Sequence, residues 1–169
     1  MRIVLIVLTL FCGHAKAVPP TPIKPGMTPF LATYELRLNG FKVGLAKAEL
    51  RRTADGRVIY RRDSEARGIL ALIRDDHIHE QAVSRLRDGR FYPFTFEYRH
   101  VGGGRVRAEE IRFDWEDGRA FSNHRGKRAS LEIPSGTLDR MTLELAVMRD
   151  VATGVKTLAY PVVAYGKQR

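Results

Sequence analysis

Residues 75–80, Asp-Asp-His-Ile-His-Glu, hold the densest group of side chains able to bind a metal or move a proton. His77 and His79 are two apart, so on a strand both imidazoles point to one side. No third ligand stands at a telling spacing, and the group also reads as a polar exposed strand following a turn. Gly102-Gly103-Gly104 has the composition of a phosphate cradle, but strand-like sequence lies on both sides of it and no helix follows. A flexible hairpin accounts for it. Ser64, Ser84, Ser122, Ser130 and Ser135 lack a G-x-S-x-G context, and the lone cysteine, Cys12, falls in the N-terminal apolar run. Acyl transfer has no nucleophile here. The expectation is therefore a protein without catalytic residues, metal or cofactor.

The N-terminus supplies an address. Met1-Arg2 precedes the apolar run Ile3 to Cys12, and Ala15-Lys16-Ala17 places small residues before Val18. A charged start, a short apolar core and an A-x-A site describe a signal peptide over residues 1–17, cleaved after Ala17 for export to the periplasm. The run is too short for a permanent membrane span. A lipoprotein anchor at Cys12 is disfavoured by the bulky Phe11 before it. Processing would leave 152 residues without a thiol. The charge of 29 Lys and Arg against 19 Asp and Glu, +10 in all, would fall to +8.

Residues 18–29 hold Pro19, Pro20, Pro22, Pro25 and Pro29 and read as an extended leader. Residues 30–169 then form a single β-rich domain. Asn39-Gly40, Asp55-Gly56, Asp88-Gly89 and Asp117-Gly118 are hairpin dipeptides. With the glycine triplet they recur at about 15-residue steps, apart from one double gap that hides a reversal near Gly68 to Asp76. Strands of about ten residues follow. Phe30, Ala32, Tyr34, Leu36 and Leu38 share one face. Phe41, Val43 and Leu45 give way to Ala46, Ala48 and Leu50 in the opposite phase, a slip that predicts a β-bulge beside Gly44. Tyr92, Phe94, Phe96, Tyr98 and His100 read as one aromatic face, and Ile111, Phe113 and Trp115 as its partner. Asp139 to Asp150 reads as a helix, N-capped by Asp139, with Leu138, Met141, Leu145 and Met148 facing the sheet and Arg140 and Glu144 pairing on the wet side. Leu158 to Val163 reads as a last strand. The fold class is mainly β: a long-stranded curved antiparallel sheet, an incomplete barrel, with one helix on its concave face.

Three stretches resemble a known family: Leu31-Ala-Thr-Tyr-Glu-Leu followed by Asn39 to Leu50, the segment Arg90-Phe-Tyr-Pro-Phe, and Gly136-Thr-Leu-Asp-Arg-Met-Thr-Leu. The family is the exported bacterial proteins of domain of unknown function 3108. The resemblance implies a fold similar to periplasmic lipoprotein carriers, which hold acyl chains between sheet and helix. It also implies further strands beyond Tyr160 to Lys167, so a chain stopping at Arg169 is expected to leave a sheet edge unpaired, as in a shortened or incomplete member.

The functional expectation is a non-enzymatic exported protein binding a lipid or other hydrophobic ligand. Tyr34, Leu36, Phe94, Phe96, Tyr98 and Trp115 would form the floor, and Met141, Leu145 and Met148 the lid. The same residues could simply fill a dry core. The alternative is an envelope scaffold that binds another protein through an exposed sheet edge, and an enzyme acting on cell-wall glycan is the remotest reading. Nucleic acid is not an expected partner, because the basic residues are dispersed and form no recognition helix. Their charge instead suits peripheral contact with an anionic membrane surface.

Overall fold

A computed structural model describes residues 27–169. The proposed signal peptide and most of the leader lie outside the described residues. Eight strands follow one another in sequence order: β1 (Phe30–Leu38), β2 (Phe41–Arg52), β3 (Arg57–Ala66), β4 (His77–Arg87), β5 (Arg90–Gly102), β6 (Arg105–Asp114), β7 (Arg119–His124) and β8 (Lys127–Glu132). Each pairs antiparallel with the next in one open sheet, so β1 and β8 are its edges. The short helix α1 (Ile69–Ile73) makes the reversal expected in the double gap. Helix α2 (Arg140–Ala152) follows the sheet, and a small hairpin of β9 (Val163–Ala164) and β10 (Lys167–Gln168) closes the chain.

The turns have local causes. Asn39-Gly40, Asp88-Gly89 and Gly103-Gly104 all have both residues at positive φ, as the twist-compatible two-residue hairpin turn demands. Arg125-Gly126 adopts the same geometry, with φ of 53° and 82°. It splits residues 119–132 into two six-residue strands, although arginine gives no turn signal. The expected bulge lies beside Gly44: Leu36 pairs with Gly44 but Arg37 with Lys42, leaving Val43 as the extra residue.

A second bulge corrects the aromatic strand. Val83 pairs with Thr95 while Ser84 pairs with Pro93, so Phe94 is the extra residue of β5. Phe91 and Phe96 consequently belong to the core beneath α2, and Pro93 is buried as well. Phe94 lies on the other face, within 6 Å of the Arg57 and Arg85 guanidiniums (5.8 and 5.7 Å). Unbroken alternation of aromatic residues concealed this reversal of phase.

The core is the lower part of the helix-bearing (inner) face. Leu50, Tyr60, Ala82, Phe96, Ile111 and Ser122 form a cross-strand row, onto which α2 places Met141, Leu145 and Ala146. Asp139 caps α2 through the Met141 and Thr142 amides, both at 2.9 Å, and Gly154, at φ +82°, follows its end. Met148 departs from the expected stripe and stands exposed. The expected strand from Leu158 to Val163 shrinks to β9 and one parallel bridge between Leu138 and Val162, because the turn at Tyr165-Gly166 follows almost at once.

Candidate functional site

Immediately above the apolar rows, one register line across five strands is polar. Arg62 pairs with Glu80, Glu80 with Tyr98, Tyr98 with Glu109, and Glu109 with His124. All five positions face α2, being in phase with Tyr60, Ala82, Phe96, Ile111 and Ser122. Glu80 and Glu109 are buried, so each requires a charged partner. Arg62 donates to Glu80 at 2.6 Å and to Glu144 of α2 at 3.0 Å. Arg140, one helical turn before Glu144, donates to Glu109 at 3.2 Å and to the Tyr165 hydroxyl at 3.1 Å. Its guanidinium also stacks over Phe96, Tyr98 and Tyr165 at 4.7–5.0 Å. Arg140 and Glu144 therefore do not pair with each other on the wet side. They point inward and tie the helix to the sheet.

The electrostatics are those of a locked network. Burial and the Glu144 charge push the Tyr60 hydroxyl up to about 12. For Arg62, burial works against the charge, but the bonds to Glu80 and Glu144 outweigh it and raise its pKa. Glu80, Glu109 and Glu144 each accept from a guanidinium. One end of the row is incompletely bonded. Glu109 Oε1 and His124 Nδ1 face each other at 3.8 Å, and both are buried without a hydrogen-bond partner. The Tyr165 ring stands edge-on to His124 at 5.7 Å.

Above this row the strands continue. Tyr34, Ala46, Ser64, Ile78, His100 and Arg107 form the next line, and Leu36 pairs with Gly44 in the line beyond. The polar members bond among themselves: His100 Nε2 to Asp76 at 2.9 Å, Arg74 to Asp76 at 3.0 Å, and Arg107 to His100 at 3.5 Å. The His100 bond, more than the Arg74 charge, holds the Asp76 carboxyl below its usual range. Tyr34 and Leu36 remain 52% and 45% exposed.

The residues singled out from sequence thus fall into separate places. Phe96, Met141 and Leu145 are packed together in the core. Tyr98 belongs to the polar row. Trp115 sits at the lower rim, stacked on Phe113 at 5.8 Å and donating to the Pro93 carbonyl at 2.7 Å. Tyr34 and Leu36 share the upper inner face, Phe94 is on the outer face, and Met148 is on the solvent side of α2. His77 and His79 lie on the outer face of β4 and separate, His77 to Asp75 at 2.8 Å and His79 to Asp63 at 2.6 Å. They line an open recess of about 430 Å³ with Lys47, Glu65 and Arg99. A second outer-face recess, about 570 Å³, is lined by Glu97, Glu110, Arg112, Phe121 and Arg128 among others. The cleft between the lower sheet end and α2, bounded by Phe91, Leu138, Ala146 and Tyr160, holds about 240 Å³, less than ligand pockets of about 300 Å³ and more.

Sequence reasoning missed Arg62, Glu109 and His124, and it placed Glu80 with the histidine group and Arg140 with Glu144 as a surface pair. Their only local signal is charge in phase with buried apolar neighbours, as in Tyr60-x-Arg62, Glu80-x-Ala82 and Glu109-x-Ile111.

Fold and site together define an open eight-stranded antiparallel meander whose second helix, α2, is tied to the inner face by a part-buried ionic row. A family model described as "Protein of unknown function (DUF3108)" matches residues 33–169, and the chain belongs to that family. No curated protein and no solved structure matches it.

Proposed function

We propose that this is a non-enzymatic exported protein that binds an amphipathic, lipid-like ligand on the upper half of its inner face. One observation carries the reading: the strands extend past the polar row reached by α2, and there Tyr34 and Leu36 stand half exposed at one end of a line that runs on through Ala46 and Ser64 to Ile78. An acyl chain laid along these residues would leave water. Its polar end would meet the hydrogen-bonding groups of His100 and Arg107. Such a site is displaced from the sheet–helix interface that the lipoprotein carriers use. There Phe96, Met141 and Leu145 already satisfy one another, and the neighbouring cleft is small. Export rests on the N-terminal pattern of residues 1–17.

The test is detergent-free purification from the cell envelope, mass spectrometry of co-purified lipid, and displacement of a fluorescent fatty acid. Saturable binding that disappears in the Tyr34→Asp/Leu36→Asp double variant, with thermal stability retained, is the expected result. Absence of saturable binding in the unsubstituted protein refutes the reading.

A second reading, a scaffold for another envelope protein, is favoured by β1, a nine-residue edge strand paired on one side only. Hydrogen exchange of the β1 amides would then slow on adding the partner and stay unchanged on adding lipid.

A further inference from the structure

Because consecutive strands are antiparallel neighbours, the β1–β2, β3–β4, β5–β6 and β7–β8 connections all lie at one end of the sheet. That end gathers exposed apolar side chains on three separate projections. Leu38 and Phe41 flank the first turn, Leu72 and Ile73 belong to α1, and Val106 follows the glycine turn. Leu72 is 87% exposed, Ile73 75% and Phe41 64%. The turns at the opposite end, at 53–56, 88–89 and 116–118, show no exposed large apolar side chain among the described residues, and each carries an aspartate.

Charge is distributed with the same asymmetry. Glu35, Glu65, Asp75 and Asp76 are the carboxylates near the apolar end, and each already has a cationic or histidine partner. Arg105, Arg125, Lys127 and Arg128 have no carboxylate partner among the described residues. The surplus at this end is therefore positive. The Arg125 amide donates to the Ala108 carbonyl at 2.9 Å, three residues down β6 from Arg105. The β7–β8 cations are thus set back by about 10 Å from the glycine turn.

We propose that this end of the sheet docks on an anionic lipid bilayer, with the apolar tips in the acyl boundary and the set-back cations at the phosphate level. An insertion of about 5–10 Å matches that offset. Isolated apolar side chains on three projections offer no continuous groove for a partner protein, whereas a bilayer yields around each one. A second copy of the chain would oppose cation to cation. The surface adjoins the upper edge of the ligand site proposed above but is built of different residues, and it does not depend on that reading.

The purified chain would be sedimented with vesicles of phosphatidylcholine alone and with vesicles containing phosphatidylglycerol. Binding is expected only to the anionic vesicles and should weaken as salt shortens the screening length. Leu72→Ser/Ile73→Ser should weaken it about a hundredfold, taking each side chain as about tenfold in partitioning. Arg105→Glu/Lys127→Glu should abolish the preference for anionic lipid. All four positions are exposed, Leu72 and Ile73 in α1 and Arg105 and Lys127 at strand starts, and unchanged thermal melting confirms folding. Retained fatty-acid displacement in both variants distinguishes loss of docking from loss of the ligand site. Equal binding to both vesicle types, unaltered binding in the Leu72/Ile73 variant, or a dimer that those substitutions dissociate overturns the proposal.

Discussion

Asp139 offers a test of how α2 is anchored. Its carboxylate is fully buried and accepts from the Met141 and Thr142 amides and, at 2.7 Å, from the Thr142 hydroxyl. Burial pushes its pKa from 3.8 up to about 6, against the pull of the Thr142 and Met141 bonds. A native pKa above the unfolded value means that the group's contribution is fully present below pH 3.8 and is lost as pH rises through about 6. The difference, about two pH units, corresponds to roughly 3 kcal/mol by neutral pH.

Asp139→Asn removes the ionisation and keeps the cap. Its Oδ1 can accept both amides, and its Nδ2 can donate to the Thr142 hydroxyl. Urea unfolding followed by fluorescence of Trp115, the single tryptophan, would be run on both proteins from about pH 4 to about pH 8. Other titrating groups are common to the pair and cancel in the difference. The wild type should lose roughly 3 kcal/mol relative to the asparagine variant across this range, most of it by about pH 6. A difference independent of pH would refute the reasoning. A change of opposite sign would mean that the cap bonds outweigh burial. Asp139→Ala should destabilise at every pH, by about 1–2 kcal/mol for the cap alone.

Arg140→Met should cost about 3–5 kcal/mol, because Glu109 is left buried without a cation. Adding Glu109→Gln should recover a large part of that loss in chemical denaturation. Leu145→Ala should cost about 2–5 kcal/mol, whereas Met148→Ala should stay within about 0.5 kcal/mol, since only the first packs on the sheet. Gly68→Ala would place a Cβ 2.4 Å from the Lys42 carbonyl at φ +62°. It should lower the melting temperature and expose α1 to proteolysis, and an unchanged protease pattern would show that this contact is dispensable.

What the sequence makes legible are the features decided within a few residues. The Asn-Gly and Asp-Gly dipeptides place hairpins, Asp139 starts a helix, and the change of phase between Leu45 and Ala46 marks a bulge. The failures share one cause: they depend on register between strands. The slip at Phe94 leaves the aromatic alternation intact and becomes visible only when Ser84 is seen to pair with Pro93. Arg125-Gly126 turns because β7 and β8 must both pair, not because arginine favours positive φ.

The polar row is the clearest case. Arg62, Glu80, Tyr98, Glu109 and His124 are spread over 63 positions of the chain and meet only through four successive strand registers. Arg140 and Glu144 then read as an ordinary surface pair, since nothing local says that a complementary charge waits on the sheet for each. Their inward orientation follows from that complementarity: without Arg140 the buried Glu109 would lack its cation, and Glu144 meets Arg62, which already pairs with Glu80. The row therefore fixes where the helix lies along the strands. Reversing one member alone, as in Arg62→Glu, should displace α2. Combining it with Glu80→Arg and Glu144→Arg should restore the helix's position, which is measurable as protection of the Leu145 amide from exchange. If the single reversal leaves that protection unchanged, the apolar contacts of Met141 and Leu145 position the helix without help from the row.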